Sequence, residues 1–224
     1  MASPSGSSSD PHQLRRGSMV KQLERKGIRD RRVLEAMRRV PRHLFVDEDH
    51  QGDAYSTHRS LPIGDTAQTL SQPWTVARTT ELLQLEPHHK VLEIGTGSGY
   101  HTAVLALLAR WVYSLERIVA LSRAARARVR QLGVGNVKIQ TFDGTVGWAD
   151  VAPFDRILVT AGAPQAPQPL LDQLAESGRF VLPEGDRRRQ RLVVYQRRGG
   201  SLHREVLDEA AFVPLIGRHG WADS

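Results

Sequence analysis

An α/β fold built on a mostly parallel, doubly wound sheet is what this sequence predicts, and three features predict it. From Lys90 to Arg197, short apolar runs of strand character alternate with longer segments of helical spacing, the pattern of a parallel sheet covered by helices on both faces. The stretch VLEIGTGSGYHTAVLA, residues 91–106, sets three glycines at alternate positions directly after an apolar strand, at the carboxyl edge where open α/β sheets bind ligands. With 40% hydrophobic and 25% charged residues among 224, the chain is long enough for one substantial core, and no run approaches the roughly 18 apolar residues needed to cross a bilayer.

The elements follow in order. Residues 1–18, MASPSGSSSDPHQLRRGS, are rich in Ser, Pro and Gly and are expected to be a disordered extension. Residues 19–224 are expected to form a single domain, with helices and a loop over 19–75 and the α/β core over 76–224. Val20, Leu23, Ile28, Val33, Leu34, Met37 and Val40 fall at helical spacings interrupted by Gly27. Two short helices are predicted there, the second capped by Asp30 and stopped by Pro41. Residues 47–73 lose periodicity, and a long irregular segment inside a domain is more often functional than idle. Residues 76–85 read as a helix with Pro73 near its start. Beyond it, strands KVLEI, WVYSLE, VKIQTFD, FDRILVTA, RFVLPEG and RLVVYQR alternate with helices TAVLALLA, IVALSRAARARVRQLG and PQPLLDQLAESG.

The formal charge of +7 comes mostly from scattered Arg, in RDRRVLEAMRR, SRAARARVR and DRRRQR, without interleaved aromatics. Solvated helix faces account for it better than a nucleic-acid surface, which wants stacking platforms; attraction of carboxylate-bearing substrates is a third reading. The absence of Cys removes disulfides, thiolate catalysis and Cys-ligated zinc. The nine His show no metal-ligand spacing, so no metal is expected and these side chains, His88 and His89 included, are read as solvated. The N-terminus lacks the apolar core of a signal peptide, which makes the cytoplasm the expected location.

The spacing of the glycine loop discriminates between ligands. A dinucleotide fingerprint wants G-x-G-x-x-G, yet position 100 is Tyr, and the phosphate loop G-x-x-x-x-G-K-[ST] is also absent. Glu93 precedes the loop, and the combination E-x-G-x-G-x-G, comprising Gly95, Thr96, Gly97, Ser98, Gly99 and Tyr100, resembles the S-adenosylmethionine signature of Rossmann-like methyltransferases. Glu116 ends the next strand, where a carboxylate accepts from both ribose hydroxyls. Asp143 and Gly144 follow strand VKIQT, where such enzymes read the adenine amino group. Taken singly, these are a solvated charge and a turn; in series they follow the order one nucleoside requires.

Over almost its whole length from Met19 the chain resembles the protein-L-isoaspartate (D-aspartate) O-methyltransferase family. The matching segments are MVKQLERKGIRDRRVLEAMRRVPRHLFV, LPIGDTAQTLSQPWTVARTTELL, KVLEIGTGSGY, APFDRILVTAGAP and FVPLIG. The resemblance implies a Rossmann-like class I fold with a helical N-terminal addition. It further implies methyl transfer from S-adenosyl-L-methionine, with S-adenosyl-L-homocysteine as product, to the α-carboxylate of L-isoaspartyl residues in damaged peptides. Ser71, in QTLSQP, matches the family's active-site serine and is expected to orient the acceptor carboxylate. Thr69 and Leu70 are expected to wall the cofactor pocket, while Leu61, Pro62, Ile63 and Gly64 contact the peptide. A monomer without a membrane or nucleic-acid partner is expected. Ala67 and Phe142 stand where the family usually has glycine, and Phe142 has three placements open to it: on the adenine ring, narrowing the pocket, or in the core. Trp148 reads as a packing residue; His219 and Trp221 read as part of a lid or as a frayed tail. A specialised Asp or isoAsp methyltransferase with one dedicated peptide partner, and a basic nucleic-acid-binding protein with a vestigial cofactor site, stand as the alternatives.

Overall fold

The computed structural model describes residues 11–223. A seven-stranded sheet runs through the molecule in the order β5-β4-β3-β6-β7-β8-β9. Its strands are β3 (Lys90–Ile94), β4 (Trp111–Glu116), β5 (Val137–Thr141), β6 (Phe154–Val159), β7 (Leu174–Gly185), β8 (Gln190–Arg198) and β9 (Ser201–Ala210). The pairs from β5 through β7 are parallel, and β7–β8 and β8–β9 are antiparallel. Helices α3 (Pro73–Leu83), α4 (Tyr100–Ala106), α5 (Val119–Gln131) and α6 (Gln168–Asp172) connect or flank the strands. In β3, Val91, Leu92, Glu93 and Ile94 are all buried, which is why the strand reads as a nearly continuous apolar run.

The N-terminal addition consists of α1 (Gln13–Arg25) and α2 (Arg31–Arg39). Asp30 caps α2 as expected, its carboxylate accepting from the Arg32 and Val33 amides at 2.8 and 3.3 Å. The expectation of disorder through residue 18 is corrected from Gln13 onward: α1 begins there, anchored by buried Met19, Val20 and Leu23. A helix seeded on such an apolar anchor propagates backwards at one hydrogen bond per residue, and His12 stacks on His43 with ring centroids 3.9 Å apart. Residues 1–10 of that extension lie outside the described residues. Met19, Leu23, Phe45, Tyr100 and Val104 share one apolar core, so the N-terminal helices and the sheet pack as a continuous body.

Three further elements depart from expectation. The segment 47–73 contains a small antiparallel hairpin, β1 (Leu61–Pro62) with β2 (Thr69–Leu70). The helix expected over PQPLLDQLAESG stops at Asp172, and its second half opens β7. Strand β9 was not expected at all. It is a charged, largely exposed edge strand, so neither face carries an apolar stripe. Its signal lay in the turn Gly199-Gly200, whose φ values of +56° and +77° suit a two-residue hairpin. Among the described residues, no helix is long and apolar enough to cross a membrane.

Candidate active site

The chain leaves β3 toward β4 and β5 on one side, then returns to β6 on the other. That reversal is a topological switch point, and ligands of open α/β sheets bind outside the strands' carboxyl ends there. The backbones meet closely: a Cβ on Gly95, whose φ is +93°, would lie 2.3 Å from Thr160 Oγ1, and that hydroxyl donates to the Gly95 carbonyl at 2.7 Å. Only glycine fits this approach at this φ.

A crevice opens at this point, holding about 810 Å³ counting its solvent mouth. It brings together Ile63, Thr69, Leu70, Ser71, Gly95, Thr96, Gly97, Ser98, Glu116 and Gly144 from the residues singled out in the sequence. Glu116 is only 6% exposed; one oxygen accepts from the Gly97 amide at 2.8 Å and the other from Ile118 at 2.9 Å. Each oxygen keeps lone-pair capacity, so a paired acceptor stands at the end of β4 beside apolar Ile94, Leu115, Ile118 and Leu215. Backbone amides, a diol-sized carboxylate and an apolar slot fit a nucleoside cofactor.

The remaining expected contacts lie outside the crevice lining, each for a physical reason. Glu93 is fully buried beneath the loop, one oxygen accepting from Thr102 and Ser114 hydroxyls at 2.5 and 2.6 Å. Ser114 in turn shares a 2.6 Å hydrogen bond with Thr96, so Glu93 reaches the loop through two hydroxyls. Gly99, at φ +89°, faces Ala125 of α5, and a Cβ there would lie 3.1 Å from that residue's Cβ. Tyr100 is buried, edge-on to Phe45 at 5.5 Å. The Asp143 carboxylate is taken by the Arg218 amide at 2.8 Å and by Thr145; burial works against ionisation, but these donors outweigh it and hold its pKa below the usual range. Leu61 is a core residue, Pro62 pairs with Thr69 across the hairpin, and Gly64 donates its amide to Asp47.

Burial raises the Glu93 pKa to about 7 from 4.5, with Ser114 and Thr102 opposing the rise. Between those two values the folded state holds a proton that the unfolded chain has released, so this group lowers stability as pH rises across the window, by up to about 1.4 kcal/mol per pH unit. Glu93→Gln is expected to remove that slope. Unfolding free energies measured from pH 4.5 to pH 7 check it: parallel curves for both proteins would assign the proton elsewhere.

Ser71 sits between β2 and α3, and its hydroxyl makes no hydrogen bond to another described residue. Its carbonyl accepts from Arg42 Nη2 at 2.7 Å. Arg42 is 0% exposed, donates Nε to the Ala54 carbonyl at 2.7 Å, and lies 4.7 Å above the Tyr100 ring. No carboxylate pairs with it among the described residues, and burial lowers its pKa to about 10. Ser71 and Thr69 also line a second groove, walled by Gln72, Trp74 and residues 188–191. The two cavities share Thr69, Ser71, Thr160 and Val213.

Several lining residues were not anticipated. His101, Arg117, Ile118, Thr160 and residues 213–216 all face the crevice. Thr160 and Ile118 follow strand ends, the position that would have found them. The view of all histidines as solvated is corrected at two: His89 is 6% exposed and takes the Glu86 amide at 2.8 Å, and buried His101 meets Thr80 Oγ1 at 2.8 Å. Burial, reinforced by Arg42, lowers the His101 pKa to about 3, so this wall of the crevice is neutral. Phe142 is 48% exposed and outside the lining, so it occupies neither the core nor the crevice. Ala67 has no positive φ and bears no strain. Trp148 packs edge-on to Tyr113 at 5.4 Å. The tail is strapped down: Trp221 Nε1 donates to the Gly162 carbonyl at 3.0 Å and the His219 amide to Thr145 Oγ1 at 3.1 Å.

Comparison with known proteins agrees with this geometry. Residues 14–220 match the family model of protein-L-isoaspartate(D-aspartate) O-methyltransferase. A protein-L-isoaspartate O-methyltransferase 1 from Syntrophobacter fumaroxidans is 54% identical over 93% of this chain and 97% of its own length. A Magnetococcus marinus protein-L-isoaspartate O-methyltransferase is 51% identical over 92% of this chain and 90% of its own. A Plasmodium falciparum crystal structure described as a protein-L-isoaspartate O-methyltransferase, solved with S-adenosyl-L-homocysteine, superposes with a TM-score of 0.79. It is 26% identical, and the match covers 93% of this chain and 99% of that one.

Proposed function

The chain belongs to the protein-L-isoaspartate (D-aspartate) O-methyltransferase family, and from that premise we propose that it repairs damaged proteins by methylating the α-carboxylate of L-isoaspartyl residues. What carries the reading is the wall shared by the crevice and the groove: Ser71 and Thr69 face both, so a cofactor in one and a peptide in the other meet at Ser71. The enzyme is taken as a cytoplasmic monomer acting on isoaspartyl peptides and proteins, without a nucleic-acid partner.

When bound, S-adenosyl-L-methionine supplies an electrophilic sulfonium methyl group. Glu116 is assigned to the ribose hydroxyls, the Gly95–Gly97 loop to the cofactor's backbone contacts, and Ile63, Ile118 and Leu215 to its apolar enclosure. The acceptor carboxyl, with a reference pKa of roughly 3.5, is an anion near neutrality, so no general base is required. The protein's work is alignment and exclusion of water. The Ser71 hydroxyl donates to the carboxylate and fixes its direction. In the resulting ester the following backbone nitrogen attacks the carbonyl, loses its proton and expels methanol, giving a succinimide that hydrolyses in part to normal aspartate.

Methyl transfer from labelled S-adenosyl-L-methionine to paired peptides, identical except for Asp or L-isoAsp at one site, tests the reading. Base-labile label on the isoAsp peptide alone is expected. Equal labelling of both would indicate an Asp methyltransferase recruited to another task, and labelling of neither would end the repair proposal. Ser71→Ala is expected to lower turnover by about 10- to 150-fold, the 1.5–3 kcal/mol of a hydrogen bond to a charged group. S-adenosyl-L-homocysteine affinity should stay within a few fold; full turnover would remove Ser71 from the mechanism.

A further inference from the structure

The groove on the far side of Ser71 carries charge that the methyl-transfer chemistry does not use. Residues 186–189 form the turn between β7 and β8, and Asp186 fixes its backbone by accepting from the Arg188 and Arg189 amides at 2.6 and 2.7 Å. The guanidinium groups of the neighbouring arginines are committed elsewhere. Arg187 donates to the Ala222 carbonyl at 3.2 Å and lies 5.2 Å over the Trp221 ring, and Arg191 is held by the Leu207 carbonyl.

Arg188 and Arg189 differ. Both are exposed, both line the groove that contains Ser71, and neither guanidinium has a hydrogen bond or ion pair to another described residue. Of the groove's own carboxylates, Glu184 is held by Arg204 at 2.9 Å and by the Tyr195 hydroxyl, while exposed Glu209 stands opposite Arg191 across the β8–β9 ladder. Apart from the charge of the adjacent Asp186 carboxylate, both cations are left to the groove that runs to Ser71.

Resting on the repair reading, we propose that Arg188 and Arg189 form a subsite for a carboxylate flanking the isoaspartyl residue, making the enzyme prefer damaged sites in acidic sequence. A guanidinium offers a planar fork that matches a carboxylate. On a turn whose backbone is fixed by Asp186 and whose side chains are exposed, the pair captures acidic residues at more than one offset. The contribution is that of exposed charge, modest and screened by salt.

The test compares isoaspartyl peptides with amidated C-termini whose flanks are Glu, Gln or Lys, alongside a Gln-flanked peptide with a free C-terminal carboxylate. At low ionic strength the Glu-flanked peptide is expected to exceed the Lys-flanked one in kcat/KM by about three- to tenfold, through KM. In the double variant Arg188→Gln, Arg189→Gln that ratio should fall toward one. Because it is a ratio within one preparation, loss of folded enzyme cancels. A comparable gain from the free C-terminal carboxylate would identify the subsite as a reader of chain ends. A ratio near one in the unmodified enzyme, or one that survives the double substitution, would overturn the subsite while leaving repair intact. No transfer to any isoaspartyl peptide would remove the repair reading, and the subsite with it.

Discussion

Replacing Arg42 with Met is expected to destabilise the protein by about 2–5 kcal/mol and to lower turnover roughly 10- to 100-fold. The stability loss follows from the buried carbonyl of Ala54 and the half-buried one of Ser71, each left without its donor, at about 1–3 kcal/mol where burial is complete. Removing the guanidinium strands no partner anion, since no carboxylate pairs with it among the described residues, and it relieves the cost of burying that charge, which offsets part of the loss. For a chain of this size, about 2–4 °C of melting temperature accompanies each kcal/mol. The turnover loss has a different origin. Arg42 ties the Ser71 backbone to the segment behind it, and a misplacement of about 1 Å at a reacting group costs on the order of 100-fold. Arg42→Lys keeps the charge but reaches the two carbonyls with a single ammonium, so it should fall between. Thermal unfolding and steady-state kinetics check both; unaltered melting in Arg42→Met would mean that these hydrogen bonds carry no net stability.

Glu116→Ala is expected to raise the S-adenosyl-L-homocysteine Kd by about 10- to 150-fold, or 1.5–3 kcal/mol, with turnover at saturating cofactor much less affected. The variant removes the acceptor assigned to the ribose and also frees the Gly97 and Ile118 amides that the carboxylate holds, loosening the loop. Glu116→Gln should fall between, because its one oxygen still accepts while its amide nitrogen cannot accept the second of the two N–H groups. Titration calorimetry decides the matter, and an unchanged Kd would place the ribose elsewhere.

The sequence made the parallel half of the sheet legible because its central strands β3 and β4 are buried on both faces and announce themselves as apolar runs, while β5 at its edge shows the alternation of a half-buried strand. The antiparallel edge was not legible: Glu205, Glu209 and their neighbours on β9 are exposed, so hydrophobic periodicity carries no signal there. A similar contrast holds at the site. Gly95, Gly97, Glu116 and Ser71 lie in loops or at strand ends whose local chemistry identifies them. Leu215 comes to the crevice through tertiary packing, and an ordinary leucine gives no hint of that. Asp143 and Tyr100 stand beside true lining residues in sequence, but backbone direction turns their side chains to other partners, which spacing alone does not reveal.

The strapped C-terminal segment has a consequence in the order of synthesis. Residues 213–216 complete the crevice wall, and the Arg218 amide and Trp221 side chain pin that segment to Asp143 and Gly162. The Ser71 loop and the glycine loop leave the ribosome first, yet the enclosure between them waits for the last stretch of the described chain. A nascent polypeptide therefore carries Ser71 and Glu116 well before it has a closed site, and the crevice is enclosed only once that last stretch has emerged.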